Sequence, residues 1–304
     1  MNEPTHSRRG RPWLRIALTA LPLWLVASAG VALWWYFQRE AQRGRELSEA
    51  FAREVSAQSL AADVMKITNV IGERNRSTDA ARANLTRIAS MIEGTLGPSN
   101  TGYPVRRIQG ALEWPLLLAT LPGNTPSRSA VWVVCAYDSH PGSRGVEANA
   151  TGIAATLAAA QALVGDSLMS DVHFLFAPHA NDPGSPVMET VASIAGMIRR
   201  DDIVLCIEAM GAGETLWFSS RDTTASALRH TSGLGDILGA EVVCLGEDGD
   251  IASRLFQSGL PAVRVATRPI MLPGEADATP PDPAMLAASA GRLVEFIRRC
   301  ADLP

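Results

Sequence analysis

Beyond about residue 61 the chain alternates short apolar runs, rich in β-branched residues, with longer alanine-rich stretches whose apolar positions recur at helical spacing. The short runs predict strands at 105–108, 116–121, 130–136, 172–177, 203–207, 216–219, 242–244 and 262–266. The longer stretches predict helices at 78–93, 150–164, 187–199, 223–238, 250–257 and 283–301. Runs such as "VWVVC" and "IVLC" leave no polar face, so the strands belong inside a largely buried sheet, and the alternation with helices is an α/β signature. In "PPDP" Asp282 is placed to cap the last helix and Pro283 to open it.

The N-terminal pattern is different. From Ile16 to Phe37 no residue is charged, a length that matches the roughly 20 residues a helix needs to cross a bilayer. Trp13 before this run and Trp34, Trp35 and Tyr36 at its end suit the two interfacial belts. We read 1–12 as a short cytoplasmic tail and 13–37 as a transmembrane helix. A juxtamembrane helical stalk follows at 38–60, with Leu47, Phe51 and Val55 at helical spacing, and 61–304 is the domain. "ASA" at 27–29 also allows a cleaved signal peptide, which would leave an apolar "GVALWWYF" terminus with nothing to cover it. Arginines flank both ends of the span, so the orientation rests on the brevity of the tail: N-terminus cytoplasmic, domain periplasmic or extracellular.

At 304 residues, 47% hydrophobic and 19% charged, the chain has enough apolar material for one large domain plus an accessory segment. The net charge of −4 includes Arg8, Arg9, Arg11 and Arg15 near the start, so the remainder is more acidic still and no nucleic-acid-binding face is indicated. Cys135, Cys206, Cys244 and Cys300 form no CxxC pair, and the apolar runs around the first two predict buried free thiols.

In sheets of this kind the chemistry sits beyond the carboxyl ends of strands, here after Ala136, Ala177 and Ile207. Read in order, "IGERN", "LLLATLPG", "VWVVCAYDS", "GVEANATGIAATLAAAQAL", "VHFLFAPHANDPGS", "VLCIEAMG" and "SGLPAVRV" resemble the blocks of the zinc-dependent exopeptidases that include aminopeptidase S, aminopeptidase Y and the glutaminyl cyclases. The resemblance runs from about Ile67 to the C-terminus. It implies a three-layer α/β domain with a central, mostly parallel mixed sheet, and a pair of zinc ions held by two histidines, a bridging aspartate, a glutamate and an aspartate. A second glutamate is the general base, since metal-bound water needs both a lowered pKa and a proton acceptor.

Carried over residue by residue, that site is mostly gone. The first histidine becomes Ala136 and the bridging aspartate Ala148, in an otherwise intact "GVEANATG". The general base falls on His179 and its neighbouring ligand on Ala180, Glu208 stands at the strand-end aspartate, and no histidine follows His230. A methyl group cannot bind a metal. The resemblance therefore implies a degenerate member with no catalytic residues and no cofactor; joined to the N-terminal span, it gives a membrane-anchored domain with a binding or assembly role toward a peptide or protein partner. The alternative is an active metallo-exopeptidase or cyclase with a rewired single-zinc site drawn from His140, Glu147, His179 and Glu208. Asp138, which in the family orients the lost histidine, is expected to bond nearby loop amides. "GDSL" at 165–168 copies a lipase nucleophile motif, but it lies at a helix end with no histidine to serve it.

Overall fold

The computed structural model describes residues 21, 23–39, 55–125, 128–221, 228, 240–243, 249–270, 275 and 277–302. The chain divides into two units, 1–46 and 47–304. In the first, residues 23–39 are helical and their large side chains, among them Trp24, Trp34, Trp35 and Phe37, are exposed. The Arg39 guanidinium lies 5.1 Å from the centre of the Trp35 ring. Among the described residues no helix is long and apolar enough to cross a membrane. Residues 13–20 and 22 of the predicted span lie outside the described residues.

The second unit is built on a sheet of eight described strands: β1 (Val105–Ile108), β2 (Leu116–Leu121), β3 (Val131–Ala136), β4 (Val172–Ala177), β5 (Ile203–Ile207), β6 (Leu216–Ser219), β7 (Ala240–Val243) and β8 (Ala262–Ala266). Their order is β1-β2-β4-β3-β5-β8-β6-β7. The centre is parallel, β4, β3, β5 and β8 pairing in one direction, while β1, β2 and the β6–β8 pairing are antiparallel. The sheet is thus mixed. The helices are α1 (Ala57–Met65), α2 (Asp79–Leu96), α3 (Thr151–Ala162), α4 (Val187–Ala195), α5 (Ile251–Gln257) and α6 (Pro283–Asp302). The predicted helix 223–238 lies outside the described residues except Leu228, and Cys244 of the predicted strand 242–244 does too.

Alternation along the central strands divides the core in two. Val131, Val133 and Cys135 of β3, with Phe174 and Phe176 of β4 and Leu205 and Ile207 of β5, face a layer formed by α1, α2, α3 and α6. Trp132, Val134 and Ala136, with Leu175, Val204 and Cys206, face α4 and α5. This is the three-layer arrangement. Both sides of each central strand are apolar because both are covered, which is why these strands read as unbroken hydrophobic runs.

Local chemistry sets most boundaries. Asp282 Oδ1 accepts the amides of Ala284 and Met285 at 2.9 and 3.0 Å, capping α6 as its "DP" start predicts. The predicted helix 187–199 stops at Ala195, where Gly196 follows, the residue with the largest backbone entropy to lose. Ahead of α3 the chain makes an extra wide helical turn, Val146–Ala150, entered through Gly145 at φ +57°. Val55 and Leu60, at the end of the predicted stalk, are buried in the core of the domain. Cys135, Cys206 and Cys300 are buried free thiols, and burial pushes the Cys135 thiol up to about 12.

Candidate active site of the inherited fold

The end of β3, the start of α3 and the end of β5 are brought together by backbone contact. A Cβ on Gly152 would lie 2.3 Å from the carbonyl oxygen of Glu208, so only glycine lets α3 approach β5 this closely. One residue earlier, Thr151 Oγ1 accepts the Met210 amide at 2.9 Å. The "ATG" helix start is therefore a packing device. Asn149, buried beside it, donates to the Ala136 carbonyl at 2.8 Å and accepts from Arg74 Nη2 at 2.7 Å.

Arg74 is fully buried. Its guanidinium also donates to the carbonyls of Tyr137 (3.1 Å), Gly72 (2.6 Å) and Arg144 (2.9 Å), tying the "IGERN" segment to the loops on either side of the site. Burial lowers its pKa to about 10, so it stays charged at neutral pH with Asp138 and Asp277 supporting the charge. Sequence reasoning quoted this segment without assigning the arginine a role, because nothing in the spacing reveals carbonyl acceptors some seventy residues away.

Asp138 is also fully buried and accepts the amides of Ala180 (3.0 Å), Asn181 (2.8 Å) and Asp182 (3.0 Å). It fastens the loop after β4 to the loop after β3, as expected of an aspartate with no histidine to orient. Burial raises its carboxyl to about 7 against the downward pull of those amides. Next to this loop, His179 is 1% exposed and packs edge-on against Trp114, ring centres 5.7 Å apart. Neither imidazole nitrogen has a hydrogen-bond partner among the described residues. Burial, reinforced by Arg76, lowers its pKa to about 4, so the ring is neutral across the physiological range.

The two carboxylates are held by guanidinium groups. Glu208 accepts from Arg264 Nε at 2.5 Å, and Glu147 from Arg268 Nη1 at 3.1 Å. Arg268 also pairs with Glu275. Arg264 is 2% exposed and donates its Nη2 to the Arg268 carbonyl at 2.9 Å. Asp277 Oδ1 accepts the Glu147 amide at 2.6 Å, at the opening of the wide turn before α3, where unpaired amides favour an anion. Close by, Asp250 caps α5, and its carboxyl is raised to about 6 by burial and then by the Glu208 charge.

His140 lies exposed in the loop after β3. The four residues named for a rewired centre thus have separate surroundings: His140 exposed, Glu147 on Arg268, His179 buried on Trp114, Glu208 on Arg264. No group of three or more His, Cys, Asp or Glu side chains able to hold a metal occurs among the described residues. Nor do the family positions fit a zinc pair, since 136, 148 and 180 carry methyl groups and the carboxylate at 208 is engaged by a guanidinium. Ser167 of the "GDSL" run is exposed in the segment after α3 and accepts from Asn124 Nδ2 at 2.9 Å.

Neither a family profile nor the sequence of a characterised protein matches the chain. Solved structures do. The LapA aminopeptidase of Legionella pneumophila superposes with a TM-score of 0.66 at 12% identity, covering 86% of this chain and 75% of its own. A zinc aminopeptidase of Bacillus subtilis gives 0.63 at 10% identity, with 81% and 95% covered. The Tannerella forsythia glutaminyl cyclase gives 0.58 at 14% identity, with 80% and 98% covered. The chain has the zinc-exopeptidase-like fold.

Proposed function

We propose that this protein is a membrane-anchored, zinc-exopeptidase-like domain that no longer hydrolyses peptides and instead binds a peptide or protein partner. The reading rests chiefly on one observation: alanines replace the donors at 136, 148 and 180, and the remaining family carboxylate, Glu208, is bonded to Arg264. A zinc ion needs about three protein ligands and an open position to activate water. A cleft of about 360 Å³ beside the start of α3, lined by Asn69, Ser143, Arg144, Val146 and Asp277 among others, offers both charges to a peptide. In this reading residues 13–37 span the bilayer, the N-terminus is cytoplasmic and the domain lies outside the cytoplasm.

The test is direct. Residues 47–304, rather than a fragment trimmed into the buried Val55–Leu60 region, are purified, zinc is measured by elemental analysis, and aminoacyl and N-terminal glutaminyl substrates are assayed with and without chelator. The expected outcome is substoichiometric zinc and no turnover above buffer. Stoichiometric zinc with chelator-sensitive turnover would overturn the proposal in favour of the rewired enzyme. Protease protection in sealed vesicles checks the anchor, and a domain shielded on the cytoplasmic side would contradict the topology.

A further inference from the structure

The cations in the inherited site belong to the chain itself. On β8, Arg264 stands in register with Cys206 of β5, two residues before Glu208, so its guanidinium rises beside the carboxylate that follows the strand. Four residues on, Arg268 reaches Glu147 at the start of α3, and its carbonyl is in turn held by Arg264. We infer that Arg264 and Arg268 take the electrostatic place of the zinc ions, acting as fixed cations that hold Glu208 and Glu147 and keep the site's loops in register without a metal. The inference rests on the metal-free reading proposed above.

The charge balance supports it. Three carboxylates need a strong positive counter-charge when they converge, and here two of the three family positions, 148 and 180, are alanine. The third, Glu208, lies 2.5 Å from the buried guanidinium of Arg264. Arg264 and Arg268 are positioning residues in this scheme, since neither is asked to touch a substrate.

A double-mutant cycle on the full chain in detergent tests this, read as thermal unfolding with and without a zinc chelator. Chelator should move the wild-type midpoint by less than about 1 °C, whereas Arg264→Leu and Glu208→Leu should each lower it by roughly 10 °C, because each removes one partner of an ion pair whose guanidinium is buried. The double variant Glu208→Leu with Arg264→Leu should recover at least half of that loss. Additive losses, or a large fall on chelation, would overturn the inference. Should Arg264→Leu fail to fold, Arg264→Lys serves: it keeps the charge and should lose less than half of what Glu208→Leu loses, and an equal loss counts against the scheme. These melts read no turnover. Chelator-sensitive turnover would sink the proposed function and the guanidinium scheme with it, whereas additive losses or a chelator-induced fall without turnover would sink the guanidinium scheme alone.

Discussion

The two sides of the inherited site are held by different forces. On the β3–β4 side, Asp138, Asn149 and Arg74 are buried and bonded mainly to backbone amides and carbonyls. On the β5–β8 side, Glu208 and Glu147 are joined to arginines through ion pairs, one with a buried guanidinium and one partly open to water. The first side is fixed by groups shut away from water, and the second by charges that water partly reaches. A side chain that satisfies buried backbone groups cannot change partner without leaving them unpaired, whereas a partly solvated ion pair can exchange with water.

The largest expected effect breaks the hydrogen-bonded side. Asp138→Ala leaves three loop amides without their acceptor, at about 1–3 kcal/mol each if they stay buried, so urea unfolding should show a loss of about 3 kcal/mol or more. A loss below 1 kcal/mol would mean that water or a moved loop replaces the carboxylate.

Next comes His179→Phe, which sharpens the contrast because neither nitrogen of this ring, beside the saturated Asp138, has a hydrogen-bond partner among the described residues. Its folded pKa, about 4, lies below the ordinary value of 6.5, so the wild type loses stability as pH falls from 6.5 toward 4 while the unfolded chain takes up the proton. The variant lacks that penalty and should gain about 2 kcal/mol on the wild type between pH 8 and pH 5. An unchanged difference at the two pH values would show that the imidazole titrates normally.

Arg268→Gln should have the smallest effect. Its pair with Glu147 is about one-fifth exposed on each side, so a loss of at most about 1 kcal/mol is expected, shrinking in 1 M salt. A large, salt-insensitive loss would place this pair with the buried one and erase the distinction between them.

How much of this was legible from residues alone follows the same division. β3, β4, β5 and β8 were visible because a strand covered on both faces is a continuous apolar run, and β1, β2 and β6 also lie where the pattern put them. Ala136, Ala148 and Ala180 could be placed in the site only through the resemblance of the blocks around them, which periodicity does not supply. What stayed hidden depends on distance along the chain. Arg264 and Glu208 are 56 residues apart, and Arg268 and Glu147 are 121 apart, separations that no periodicity reports. The wide turn Val146–Ala150 was missed because it depends on Gly145 at positive φ and on Asp277 receiving the Glu147 amide. The core's reach back to Val55 was missed because helical spacing does not distinguish a free stalk from a packed helix.

The three buried thiols give the molecule a built-in stopwatch. Cys135, Cys206 and Cys300 sit at 2% exposure or less in the central strands and the last helix, each with its thiolate disfavoured by burial. An alkylating reagent can reach them only when the surrounding layer opens, so labelling rates resolved by peptide time the breathing of each face of the sheet. Cys206 faces the α4–α5 layer and Cys135 the opposite one. The chain thus carries its own reporters for which half of the sandwich yields first.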